Sequence, residues 1–198
     1  MILKVTTKMN NYEELCKYCK LLHEKGLAPG CSGNVSIRKS SHIAITPSGV
    51  SLNDITEKNI VEIDFKGENI SEGKASTEKM MHVNIYNNRS DVNAIIHSHS
   101  PFLSTFALHG KPLENSAIIE LKYLFNNKVP LVSYNPPGSK ELAEEVAEVL
   151  KTSDVAILQN HGAIVIAKTM KEAFYKYEVL EYTAQVIYQQ QLLAGSNK

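Results

Sequence analysis

Two largely apolar runs, Val155–Gln159 and Ala163–Ala167, are separated only by Asn160-His161-Gly162. Short runs bounded by turn residues read as strands, and so tight a break reads as a turn between neighbours in a sheet. The same grammar recurs upstream. Val35–Arg38 and Ile43–Thr46 flank the hairpin candidate Lys39-Ser40-Ser41, and Pro47-Ser48-Gly49 then turns the chain. Ile60–Phe65, Ala94–His99 and Leu131–Tyr134 are further strands. Helical spacing predicts Asn11–Lys25, on Leu15, Cys19 and Leu22 with Gly26 as the stop. Ser76–Arg89 follows on Met80, Met81, Ile85 and Asn88, and Ser100–Leu108 has Pro101 in its first turn and Gly110 beyond its end. Ser139 caps Lys140–Lys151, and the capping box Thr169-Met170-Lys171-Glu172 opens a last helix with the stripe Ala173, Tyr177, Leu180, Ala184 and Ile187. Lys111–Lys128 fits neither period. Adjacent strand pairs mixed with helices predict an α/β domain, its sheet mainly antiparallel and covered by helices. With no repeat, linker or low-complexity segment, residues 1–198 are expected to form a single domain.

Composition narrows the function classes. Lys and Arg number 21 against 21 Asp and Glu, so no general field attracts nucleic acid or an anionic membrane. The longest apolar runs are far too short to span a bilayer, and Met1–Asn10 lacks the apolar core of a secretory signal. A cytoplasmic protein is expected. Three cysteines suit a reducing compartment, and the Cys16/Cys19 pair reads as small, partly buried residues on a helix.

The seven histidines remain. His97 and His99 close an apolar strand, where residues two apart share a face. Side-by-side imidazoles suit a shared Zn²⁺, and His161 in its tight turn supplies the third ligand that a catalytic zinc site with an open position needs. His23, His42, His82 and His109 are assigned surface or packing roles, His82 either pairing with Glu78 one turn before it or turning outward. Three segments could hold an anion: the Gly30–Asn34 loop, the Ser48-Gly49 turn, and Ser76-Thr77 at an expected helix start with free N–H groups.

In this order and spacing the segments resemble the class II aldolase/adducin family from about Tyr12 to Gln190. The residues that carry the likeness are Gly26-Leu27, Ser32-Gly33-Asn34-Val35-Ser36, Ile45-Thr46-Pro47-Ser48-Gly49, Ser76-Thr77-Glu78 with His82, His97-Ser98-His99, and Asn160-His161-Gly162. The resemblance implies a three-layer α/β/α fold and a homotetramer with sites at subunit interfaces. It implies one zinc per subunit on His97, His99 and His161, with Glu78 beside it, although Mn²⁺, Co²⁺ or Fe²⁺ suits imidazole ligands too. It also implies a phosphorylated sugar whose phosphate sits on Gly33, Asn34, Ser48, Gly49, Ser76 and Thr77.

Glu78 after two hydroxyl residues matches the family's aldolases and not its epimerases. The expected reaction is therefore reversible cleavage of a ketose 1-phosphate to dihydroxyacetone phosphate and an aldehyde. Glu78 would act as the acid/base, provided that burial raises its pKa. Dehydration or 4-epimerisation of a phosphoketose at the same site is the alternative, and a non-catalytic adducin-like domain, which would lack the histidines, a further one. The fuculose-type members carry a mid-chain Tyr that reaches a neighbouring subunit's site. Here that position falls near Ile119, with Glu120 and Tyr123 as polar candidates. The apolar Ile118-Ile119 would suit a deoxy or methyl-bearing aldehyde. A Gly pair common in this segment is replaced by Asn126-Asn127, and the family's C-terminal Tyr tail is expected to be short or missing.

Overall fold

The structure is a computed structural model that describes residues 11–115 and 117–195. Met1–Asn10, considered above as a signal, lies outside the described residues. In chain order the elements are α1 (Asn11–Glu24), β1 (Asn34–Arg38), β2 (Ile43–Ile45), β3 (Val61–Ile63), α2 (Lys79–Asn88), β4 (Ala94–Ser98) and α3 (Pro101–His109). They continue with β5 (Leu113–Glu114), α4 (Ile119–Phe125), β6 (Lys128–Val129), β7 (Leu131–Val132), α5 (Lys140–Val149), β8 (Val155–Leu158), β9 (Gly162–Ala167) and α6 (Met170–Gly195).

Seven strands form one sheet in the order β3-β2-β1-β4-β9-β8-β7. Every neighbouring pair is antiparallel except β7 and β8, which run parallel. The sheet is thus mixed. A tight turn can join only antiparallel neighbours, and β7 reaches β8 through α5, the crossover that a parallel pair requires.

Strand alternation builds two cores from one sheet. Ala94, Ile96, Val155, Ile157 and Val165 face the layer of α1, α3, α4 and α6, whereas Ile95, Ala156, Leu158, Ile164 and Ile166 face α2 and α5. The result is three layers, helix, sheet and helix. The last helix buries its whole predicted stripe, and Thr169 Oγ1 accepts the Glu172 N–H as the capping box requires. Ser139 likewise accepts from Leu142 N–H, 3.2 Å away, at the start of α5.

Two helical readings change. The apolar face of α2 is Met81, Val83, Ile85 and Tyr86 with His82 among them, while Met80 and Asn88 face outward. The helix also begins at Lys79, three residues later than expected. Ser76 N–H is bonded to Thr46 O at 3.2 Å and Ala75 bridges Pro47, so the chain before Glu78 is held against the β2 end and cannot yet coil. The ambiguous stretch resolves into β5, α4 and β6. Asn126 and Asn127 take φ of 51° and 65° after α4, a left-handed conformation that Asn tolerates better than most residues. Among the described residues no helix is long and apolar enough to cross a membrane.

Candidate functional site

The ends of β4 and β1, the β8–β9 turn and the approach to α2 meet on the α2 side of the sheet. His97 pairs with Asn34 across β1 and with Ile164 across β9, so its ring projects from the sheet centre. His99 follows two residues on, beyond the strand's last residue. His161 occupies the turn after Asn160, whose φ of 58° bends the chain back. Gly162 lets this turn close on β4: a Cβ there would lie 2.5 Å from Ser98 O and 2.8 Å from His99 Cδ2. The three rings stand edge to face, with centroids 5.0, 4.7 and 4.8 Å apart. One ligand atom from each lies within 4.8 Å of the others.

Hydrogen bonding settles which atoms face inward. His97 Nδ1 is 3.0 Å from Ala163 O, which can only accept, so the neutral ring carries its proton on Nδ1 and turns a bare Nε2 to the centre. That Nε2 lies 3.1 Å from His99 Nε2 and 3.2 Å from Glu78 Oε2. Glu78 Oε1 lies 3.4 Å from His161 Nε2 and has no hydrogen-bond partner despite its burial. Burial, then repulsion among imidazoles that cannot all be charged together, pushes His99 down to about 3. The same causes push His161 down to about 4. Three imidazole nitrogens within 4.8 Å of one another, with a carboxylate beside them, make a donor set that fits a metal ion.

Glu78 corrects one expectation. Burial does raise its pKa, but His97, His161 and the Asn34 amide more than offset this and hold the carboxyl well below the usual carboxylate range. It stands as a carboxylate, not as a proton-bearing acid.

A cleft of about 420 Å³ opens over this cluster. Gly33 and Asn34, Ser48 and Gly49, and Ser76, Thr77 and Glu78 line it from three loops, with His99 and His161 at its base. His97 is fully buried behind them. Gly33 has φ of 80°, and a Cβ on it would meet His97 O at 2.7 Å, so only glycine seats this loop against β4. No Lys or Arg is among the cleft's lining residues. The N–H groups of Ser48 and Ser76, expected to be free for an anion, are already bonded to Lys74 O and Thr46 O. At these two positions the hydroxyls are what remain.

The other expected residues lie elsewhere. Ile119 and Tyr123, 68% and 75% exposed, sit with Glu120 on α4 in the opposite helical layer, and none of them lines the cleft. His109 is exposed. His42 lies 3.1 Å from Tyr12 Oη and 3.5 Å from Glu62. Cys16, Cys19 and Cys31 are free thiols, Cys19 buried on α1 as expected. His82 is neither outward nor paired with Glu78: it is fully buried, 2.7 Å from Ser36 Oγ and 2.6 Å from Asn34 Oδ1. The sequence signal for it was a double period, Asn34 and Ser36 at strand spacing opposite Glu78, His82 and Tyr86 at helical spacing.

Residues 13–188 match the family described as Class II Aldolase and Adducin N-terminal domain. An L-fuculose phosphate aldolase of Methanococcus maripaludis is 40% identical over 175 residues, 88% of this chain and 94% of that protein. A 5-deoxy-D-ribulose 1-phosphate aldolase of Bacillus thuringiensis is 36% identical over 180 residues, 89% of this chain and 84% of that protein. Among solved structures, an L-fuculose 1-phosphate aldolase superposes with a TM-score of 0.87 at 32% identity, covering 94% of this chain and 89% of its own. The family match spans nearly the whole chain, and the chain belongs to the class II aldolase and adducin family.

Proposed function

We propose that this protein is a metal-dependent aldehyde-lyase that reversibly cleaves a ketose 1-phosphate to dihydroxyacetone phosphate and an aldehyde. The observation that carries this reading is the convergence of His97, His99 and His161 on the Glu78 carboxylate at the base of a cleft edged by hydroxyl and glycine loops. The similarity to aldolases of L-fuculose phosphate and 5-deoxy-D-ribulose 1-phosphate supports the substrate class.

His97, His99 and His161 would hold the ion, with Glu78 at its edge; zinc is the first choice for three imidazoles, and Mn²⁺, Co²⁺ and Fe²⁺ are alternatives. Such an ion supplies Lewis-acid polarisation of the ketose carbonyl. The hydroxyls of Ser48, Ser76 and Thr77, with the Gly33-Asn34 and Gly49 backbones, hold the phosphate by neutral donors. Glu78, already a carboxylate, takes a proton from the carbon beside the carbonyl in the synthetic direction and returns it in cleavage. Glu120 and Tyr123 lie on the far layer, so neither serves as the proton donor at the aldehyde end of this chain's own cleft, and a group from a neighbouring subunit would take that role. This accords with a homotetramer whose sites lie between subunits. The free thiols support a reducing, cytoplasmic setting.

The test is a coupled assay for dihydroxyacetone phosphate over a panel of ketose 1-phosphates that includes L-fuculose 1-phosphate and 5-deoxy-D-ribulose 1-phosphate. Release is expected from at least one, with loss in chelator and recovery on adding Zn²⁺. Metal-replete protein inert across the panel would refute the reading, and a single product retaining all the carbons would favour dehydration or epimerisation instead.

A further inference from the structure

Behind the cleft runs a row of buried polar groups that the reaction outlined above does not use. Asn34 and Ser36 project from β1 to one face, and Glu78, His82 and Tyr86 follow at four-residue spacing along α2 and its cap. Two strand residues advance about 6.7 Å and four helical residues about 6 Å, so the rows stay in step. Asn34 Nδ2 is 2.9 Å from Glu78 Oε2, and Asn34 Oδ1 is 2.6 Å from His82 Nε2. Ser36 Oγ lies 2.7 Å from His82 Nδ1 and 2.9 Å from Tyr86 Oη. All five side chains are buried.

The direction of this chain is forced from its Glu78 end. A carboxylate only accepts, so the Asn34 NH₂ must face it and Oδ1 must face His82. His82 Nε2 must then donate. In a neutral ring Nδ1 is bare and accepts from Ser36 O–H, which in turn accepts from Tyr86 O–H. Every donor points toward Glu78.

We propose that His82, as the neutral Nε2–H tautomer, is a positioning residue for Glu78, locking the Asn34 amide with its NH₂ on the carboxylate. Without the His82 donor, Asn34 Oδ1 is left buried and unpaired, and the amide is held only by its bond to Glu78. The amide then shifts to find another partner for Oδ1 and carries the carboxylate out of its place beside His97 and His161. What Glu78 does for the substrate rests on the aldolase reading, but the relay itself does not.

The test uses His82→Leu and His82→Gln in the metal-loaded protein, beside imidazole nitrogen NMR of the unsubstituted chain. His82→Leu is expected to lower kcat by about 10–100-fold, the usual cost of losing a partner behind a metal site, with KM near its original value. His82→Gln, whose amide NH₂ can donate to Asn34 Oδ1, should recover most of the loss. The spectrum should show His82 with a protonated Nε2 and a bare Nδ1. A folded His82→Leu protein with unchanged kcat, or an Nδ1–H or charged His82 at neutral pH, would overturn the proposal. If His82→Leu does not fold, the glutamine variant and the spectrum decide. If the unsubstituted protein cleaves no ketose phosphate, the aldolase reading fails while the spectrum still judges the relay.

Discussion

His82 shows how much one buried side chain can carry. It is charged only at the cost of desolvation in a site already ringed by donors and acceptors, and burial pushes it down to about 3. In the unfolded chain the same ring titrates near 6.5. Between these values the unfolded state binds the extra proton, so stability rises with pH across the window. The contribution is therefore fully present above about pH 6.5 and lost as pH falls toward 3. Urea unfolding of the metal-free protein should show stability falling by up to about 1.4 kcal/mol per pH unit from this residue alone. A stability that stays level between pH 6.5 and 4 would contradict a neutral, buried His82.

Among elements, β1 acts as the registration bar for α2. Asn34, Ser36 and Arg38 alternate along it. The first two reach Glu78, His82 and Tyr86, while Arg38 donates to the carbonyls of Tyr86, Arg89 and Val92 at the far end of the helix. One strand face thus aligns α2 from its N-cap to its C-terminus and sets where Glu78 stands. The β8–β9 turn does the same for His161 by close approach to β4. Gly162→Ala would set a methyl against the Ser98 carbonyl, a backbone atom that no rotamer change can move aside. A loss of about 1–3 kcal/mol is expected, with weaker Zn²⁺ binding as His99 and His161 separate. Differential scanning calorimetry and zinc titration would check it, and unchanged values in both would show that the turn has slack.

Across the whole molecule, the two helical layers divide the work. The α2 and α5 layer backs the cleft, and the α1, α3, α4 and α6 layer carries the larger core. On the outer face of the latter, Ile119, Tyr123 and Leu124 of α4 are 68%, 75% and 50% exposed, and Tyr175 of α6 is 51% exposed. Apolar side chains left open in a cluster are a common mark of subunit contact. The proposed tetramer predicts a light-scattering mass four times the 22.0 kDa of one chain. A mass of one chain at micromolar concentration would remove it, together with any donor from a neighbouring subunit.

Some of this was legible one residue at a time. Strand period sets the face of His97 and brings His99 to the strand's end beside it, and a turn of Asn, His and Gly has to present its His at the end of a hairpin. Strand pairs joined by short turns must be antiparallel, and the Ser139 and Thr169 caps mark helix starts because their bonds are local. Other features are decided by partners far along the chain. The start of α2 moves from Ser76 to Lys79 because Thr46 holds the Ser76 N–H. Glu78 is a carboxylate and not a raised acid because His97 and His161 face it across the sheet end. His82 became a link in a relay because Ser36 and Asn34 sit opposite it, 46 and 48 positions away. Local geometry depends on neighbours in sequence and can be read from them. Hydrogen-bond direction, burial and charge depend on neighbours in space, and only the tertiary structure supplies those.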